Sequence, residues 1–191
     1  MCGIAGFCDF KRNLLQEKIC NTTLLKKMHD TLSHRGSDNF GIFLSQTAGL
    51  SHARLSIRDI KGGNQPMTRK KDGQNYTICY NGEIYNTDEL KSELGKCGYE
   101  FFTTSDTEII LYSFMEYGPT FVNKLNGIFS FAIWDEGTCQ LYLYRDRVGV
   151  KPLFYYSRAE TFVFASEPKA LFVHPSVSPE INLESIQQIL G

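Results

Sequence analysis

The sequence predicts an α+β fold, a layered sandwich of largely antiparallel sheets with its helices grouped apart from its strands. Three observations carry this. Apolar and alternating stretches dominate the first part of the chain and return after residue 128. Two helices with start and stop signals sit between them. No regular strand–helix alternation runs through the chain, as a doubly wound parallel sheet would require.

Taken in order, an apolar run at 3–9 reads as the first strand and 22–33 as the first helix. Strands follow near 40–45, 49–57 and 76–81. The helix at 87–97 opens on Asn86 with Glu89 three residues on, and that at 106–117 on Ser105 with Glu108 three on; both are capping-box patterns. Gly98 and Gly118 stand where helix C-caps belong, and Pro119 stops the later helix. "GIFSFAIWD" (strand 128–134) and "QLYLYRD" (140–145) are rich in aromatic residues and flanked by Gly, Asn or Asp. Shorter strands fall at 153–156 and 161–165, and "LESIQQIL" (183–190) reads as a weaker helix. There is no internal repeat and no low-complexity tract. The stop at Gly191, straight after an apolar helical pattern, leads us to expect a domain cut from a longer protein.

At 191 residues, with 42% hydrophobic and 21% charged residues, the chain suits one globular domain. Twenty basic against twenty-one acidic residues leave no electrostatic footprint for nucleic acid or an anionic membrane. No apolar run approaches the ~18 residues of a membrane span. Asp9, Lys11 and Arg12 interrupt the N-terminal apolar stretch, so it is not a signal peptide and a cytoplasmic location is expected. The six cysteines form no CxxC pair and the four histidines no HxxxH or HxxE, so no metal site is expected.

Four segments could carry chemistry. In "MCGIAGF", removal of Met1 would leave Cys2 with a thiol and a free α-amine on one residue. Such an amine titrates near ~7.7–8.0 and can activate a nucleophile without a histidine. On position alone, a small buried apolar residue is the commoner meaning. Arg54 in "SHARLSI" is either a functional cation or a solvated strand residue. Asn81-Gly82 in "YNGEIYN" is a type I′ turn signal, although the segment runs into a capped helix instead of a returning strand. Asp106 in "SDTEIIL" could merely complement a helix dipole, worth ~0.3–1 kcal/mol. Glu83 and Asn86 read equally as turn or cap residues and as ligands.

Together with "HRGSD" (34–38), "LSHARLSIRD" (50–59), "GNQPM" (63–67), "LNGIFSFAIWD" (125–135), "RDRVGVKPLFYY" (145–156) and "FASEPKAL" (164–171), these segments resemble one family in order and over essentially the whole chain. It is that of the class II glutamine amidotransferases, in the form of the N-terminal glutaminase domain of glutamine-hydrolysing asparagine synthetases. Ser37 departs from the family's usual "HRGPD", which touches the loop's rigidity and no catalytic position. The resemblance implies an N-terminal-nucleophile hydrolase fold, a four-layer αββα sandwich with two mainly antiparallel sheets. It implies Cys2 as nucleophile, with Asn81 and Gly82 as its oxyanion donors, and a chain still bearing Met1 as an unprocessed, inactive form. Arg54 matches the position that grips the α-carboxylate of glutamine and Asp106 the one that receives its α-ammonium. Leu55, Ser56, Ile57 and Arg58 would line the pocket mostly through backbone groups, with Glu83 as a further member.

The implied partners are L-glutamine and a C-terminal synthetase domain, with a homodimer left open. No cofactor is implied for this domain; ATP and Mg²⁺ belong to the absent synthetase, and the chain carries no pyrophosphate or P-loop motif. A synthetase-like amidotransferase with a sugar, peptide or polymer acceptor would use the same first domain, and a non-catalytic regulatory module would keep the fold. Arg145, Arg147 and Lys151 suggest either an anion site or, preferred here, structural salt bridges or contact with the missing domain. His34 and Arg35 read as loop-holding residues. His52 is a tempting base that an α-amine makes unnecessary.

Overall fold

The computed structural model describes residues 1–56, 59 and 62–180; Ile57, Arg58 and the helix expected at 183–190 lie outside them. In chain order the elements are β1 (Gly3–Asp9), α1 (Lys18–Leu32), β2 (Asn39–Leu44), β3 (Ala48–Arg54), β4 (Met67–Lys71), β5 (Gln74–Ile84), α2 (Thr87–Lys96), α3 (Asp106–Tyr117), β6 (Gly127–Asp135), β7 (Gln140–Arg145), β8 (Phe154–Arg158), β9 (Thr161–Ala165) and α4 (Pro168–Leu171). One sheet has the order β2-β3-β1-β9-β8 and the other β4-β5-β6-β7; every pairing is antiparallel.

The side-chain period of two then builds four layers. Ile4 and Cys8 of β1, with Leu50 of β3 and Phe164 of β9, pack on Cys79, Ala132 and Trp134 of the second sheet. The opposite face of the first sheet, through Ala5, Phe7, Ala53 and Val163, packs on Leu25 and Met28 of α1 and Leu171 of α4. The outer face of the second sheet, through Ile78, Tyr80, Phe129 and Phe131, covers Leu90 and Leu94 of α2 and Ile110 and Phe114 of α3. The result is the expected αββα sandwich. β1 is buried on both faces, which explains why it reads as a continuous apolar run.

Local differences have identifiable causes. The edge strand β4 is "MTRKK", whose polar side chains blunt an exposed edge and hide its strand character. β5 continues three residues past its expected end because β6 pairs with it as far as Ile84↔Gly127. Asn81-Gly82 is therefore strand interior, not a turn. β3 ends at Arg54, earlier than expected, and α1 begins at Lys18.

The two capping boxes are not formed as such. Asn86 makes no side-chain cap; its Oδ1 accepts from Asn126 N–H at 2.9 Å and its Nδ2 donates to the Lys124 carbonyl at 2.9 Å. Ser105 does cap α3, accepting from Thr107 N–H at 3.1 Å. Glu108 instead accepts from Arg69 and from the Phe102 and Thr103 N–H groups, fully buried. Gly118, at φ +69°, ends α3 in a backbone region that favours glycine.

Candidate active site

Antiparallel register decides where Cys2 lies. Gly3 pairs with Ala53, so the residue just before β1 stands beside the end of β3, and even-numbered residues of both strands face the second sheet. The Cys2 Sγ accepts from Leu55 N–H at 3.4 Å and lies 3.6 Å from the Leu55 carbonyl oxygen. Cys8 and Cys79 are fully buried, and burial pushes both thiols up to about 12, which makes them unreactive. Cys2 is half-buried and lines a cleft of about 130 Å³ together with Arg54, Leu55, Tyr80, Asn81, Gly82, Glu83, Asp106 and Lys151.

Strand β5 contributes a row of donors at this cleft. Tyr80 N–H donates to Gln65 Oε1 at 2.6 Å and Ile84 N–H to Asp106 Oδ2 at 3.3 Å, so even-numbered N–H groups point away from β6. The Phe129 backbone is bonded to Asp146 instead, through Asp146 N–H at 2.8 Å and the Asp146 carboxylate at 3.2 Å. By the alternation of an antiparallel ladder, Gly82 N–H projects on the cleft side between those of Tyr80 and Ile84. Glycine is required here, because a Cβ would sit 2.4 Å from the Ile128 carbonyl oxygen. Asn81 is 2% exposed, and its Nδ2 has no hydrogen-bond partner among the described residues. A buried amide donor without a partner is uncommon and marks a place where another acceptor belongs.

Acidic and basic groups line the same cleft. Asp106, in the first turn of α3, accepts from Tyr80 Oη at 2.7 Å. Burial, reinforced by the Asp106 charge, drives the Tyr80 phenol well above its ordinary value, so it remains a donor. Gln65 joins loop, sheet and helix, since its Nε2 also donates to Thr107 Oγ1 at 3.2 Å. Arg54 is oriented by Asn64 Oδ1 at 3.0 Å and the Asp59 carbonyl at 2.5 Å. The Asp59 carboxylate in turn accepts Thr104 and Gly62 N–H groups, which hold its pKa down and fasten this loop to the start of α3.

His52 is not among the residues lining the cleft. It is 1% exposed with Nε2 at 3.0 Å from the Tyr80 carbonyl, which can only accept, so the imidazole is the Nε2–H tautomer. Burial lowers its pKa to about 4. It ties the two sheets together as a neutral donor.

The structure thus brings together Cys2, Arg54, Leu55, Asn81, Gly82, Glu83 and Asp106. Ser56 stands outside the cleft lining, its N–H bound to Asp38 Oδ2 at 2.7 Å, and Ile57 and Arg58 lie outside the described residues. Sequence reasoning missed Tyr80, Gln65 and Thr107, and it singled out Lys151 without placing it at the cleft. It also undervalued Arg35, whose Nε donates to the Cys2 carbonyl at 3.0 Å. No local pattern announces that contact, although "HRGSD" had singled out the segment. Among the described residues Arg145 forms none of the salt bridges offered as one reading of the Arg145–Lys151 loop and donates instead to the Lys151 and Gly149 carbonyls.

Arg35 is itself fixed by Glu167, at 2.8 Å, with His34 and Lys169 on the same carboxylate. Burial alone would raise the Glu167 pKa, but hydrogen bonds from Arg35, Lys169 and His34 outweigh it and bring the group from 4.5 to about 2. A carboxyl depressed in the folded state stabilises it above the unfolded value and loses that contribution as pH falls through the folded one. Melting temperatures should therefore drop between pH 4.5 and about 2. Glu167→Gln should lower the melting temperature at neutral pH and flatten this acid limb; an unaltered limb would contradict the assignment.

The family model described as a glutamine amidotransferase domain matches residues 1–191. Asparagine synthetase (glutamine-hydrolyzing) 3 of Bacillus subtilis is 44% identical over all 191 residues, and asparagine synthetase B of Escherichia coli is 38% identical over 90% of the chain. In each case the chain spans about 30% of the relative's length. Among solved structures, the glutamine phosphoribosylpyrophosphate amidotransferase of Bacillus subtilis, complexed with ADP and GMP, superposes with a TM-score of 0.74. That likeness covers 90% of this chain and 43% of the other at 21% identity, and supports the fold.

Proposed function

The chain belongs to the glutamine amidotransferase domain family, and we propose that, once Met1 is removed, it hydrolyses L-glutamine to glutamate and ammonia with Cys2 as nucleophile. The observation that carries this is one cleft holding an accessible thiol and a buried amide donor, Asn81 Nδ2, that has no partner among the described residues.

In this reading the Cys2 α-amine takes the thiol proton as sulfur attacks the carboxamide carbon. Negative charge develops on the amide oxygen and is received by Asn81 Nδ2 and Gly82 N–H. The amine then returns its proton to the departing nitrogen, and ammonia leaves a γ-glutamyl thioester. A water molecule, deprotonated by the same amine, attacks the thioester, so that glutamate departs and the thiol is restored. Arg54 binds the α-carboxylate as a pre-oriented guanidinium, and Asp106 the α-ammonium.

Glutamine supplied without ATP to the Met1-free chain should yield glutamate and ammonia in equal amounts; no release would overturn the reading. The relatives are named as asparagine synthetases and are about three times longer. We therefore take this domain to be the N-terminal part of a longer chain, whose remainder would use ATP and Mg²⁺ to activate aspartate as ammonia acceptor.

Asp106 offers a test of substrate orientation. A charge-assisted contact to the α-ammonium is worth roughly 1.5–3 kcal/mol. At ~1.4 kcal/mol per tenfold, Asp106→Asn should lower kcat/KM for glutamine by about 10–100-fold, mainly through KM. An analogue lacking the α-amino group should be poor for the parent and lose little more in the variant. Equal losses for both substrates would mean that Asp106 serves the helix and Tyr80, not the ammonium.

A further inference from the structure

Lys151 closes the cleft from the loop between β7 and β8. It is only 9% exposed, and among the described residues its Nζ has a single hydrogen-bond partner, the thioether Sδ of Met1 at 3.3 Å. A thioether is a weak acceptor, whereas a buried ammonium ordinarily sits against a carboxylate or carbonyls. The loop that presents Lys151 is closely fixed. The Asp146 carboxylate accepts the N–H groups of Val150 at 2.8 Å and Lys151 at 2.9 Å, and the Lys151 carbonyl accepts from Arg145 Nε at 2.9 Å. The side chain is thereby held toward Met1 and the cleft.

Removing Met1 does two things at once. It takes away the partner that this ammonium has among the described residues, and it creates an amine on Cys2. Five covalent bonds separate the vanished sulfur from that nitrogen, which keeps the two amines within roughly 10 Å. We infer that Lys151 is a positioning residue for catalysis in the Met1-free chain, its ammonium keeping the Cys2 α-amine in the unprotonated form that proton transfer requires. The inference rests on the nucleophile reading above. Its physical basis is that a like charge in a half-buried cleft disfavours a second one.

The neighbouring groups have other engagements. Arg54 and Arg35 act in the same sense as Lys151, but Arg54 is bound to Asn64 and Asp59 and Arg35 to Glu167. Asp106 and Glu83 act against it; Asp106 is shared with Tyr80 and Ile84, and Glu83 is exposed to solvent with a partner of its own. The Asp38, Asp59 and Asp146 carboxylates are spent on backbone N–H groups. His34 is on Glu167, His52 is neutral and Tyr80 stays protonated.

The test compares Lys151→Met, Lys151→Gln and Lys151→Arg in the Met1-free chain, reading kcat/KM for glutamine from pH 5.5 to 9.5. Loss of the charge should move the acid limb up by about one pH unit, so rates on that limb fall about tenfold and recover as pH rises. Lys151→Arg should keep the parental limb. A second measurement does not depend on turnover: the Cys2 amine is titrated by NMR in Cys2-labelled chains, and should shift upward in the Met and Gln variants alone. No turnover in the parent would defeat the nucleophile reading, while the amine titration would still decide the role of Lys151. An unmoved amine, or a drop in rate independent of pH, would overturn the inference.

Discussion

Removal of Met1 should switch glutamine hydrolysis on, and Cys2→Ala in the Met1-free chain should switch it off completely. With Met1 attached, the Cys2 nitrogen is an amide and can neither take the thiol proton nor return it to ammonia. The half-buried thiol still contacts Leu55, so its position is not the obstacle. Met1 also lines the cleft and is itself 56% exposed, placing it within reach of a processing peptidase. Cys2→Ala should retain glutamine binding, because recognition in this reading belongs to Arg54 and Asp106 on separate elements. The comparison needs three samples: Met1-bearing, Met1-free and Met1-free Cys2→Ala, each checked by intact mass and assayed for ammonia and glutamate. Full turnover with Met1 demonstrably attached would refute the amine as base. Turnover surviving in Cys2→Ala would refute the nucleophile.

Much of this arrangement was legible in the sequence, for uneven reasons. Helix α3 was readable because Ser105 and Gly118 act locally, and β7 because its aromatic residues alternate across one strand. The tight pairing of β5 with β6 was not, since a strand's length depends on what its neighbour continues to pair with. The cleft residues could be named from their motifs, but not their company. Nothing within residues 33–36 shows that Arg35 reaches the carbonyl of Cys2, and nothing within 145–151 shows that Lys151 meets Met1. Both contacts join segments more than thirty residues apart, and only the antiparallel register of the first sheet and the fixed loop after β7 create them. His52 shows the converse. Its type and its nearness to Arg54 suggested chemistry, yet burial and a single carbonyl partner make it a structural donor.

Asn81→Ala should separate activity from stability more sharply than any other change at the cleft. An amide donor buried to 2% exposure and lacking a partner among the described residues costs the folded state part of its desolvation energy. A group kept at such a cost is expected to recover it when the charge it awaits appears, here on the oxygen of the tetrahedral intermediate. Loss of one oxyanion donor typically slows kcat by ~10²–10³. Gly82 N–H remains in the variant, so turnover should be reduced and not abolished. KM should change little, because the donor is aimed at charge that develops only during reaction. The melting temperature should stay level or rise slightly, since no hydrogen bond of Nδ2 is lost. Asn81→Asp, nearly isosteric, should be slower still at neutral pH, because a carboxylate there both lacks the donor and repels the developing oxyanion. Measuring kcat, KM and melting temperature on both variants decides the matter. A fall in melting temperature that accounts for the lost activity, or a loss confined to KM, would show that Asn81 supports the strand or the bound substrate and not the transition state.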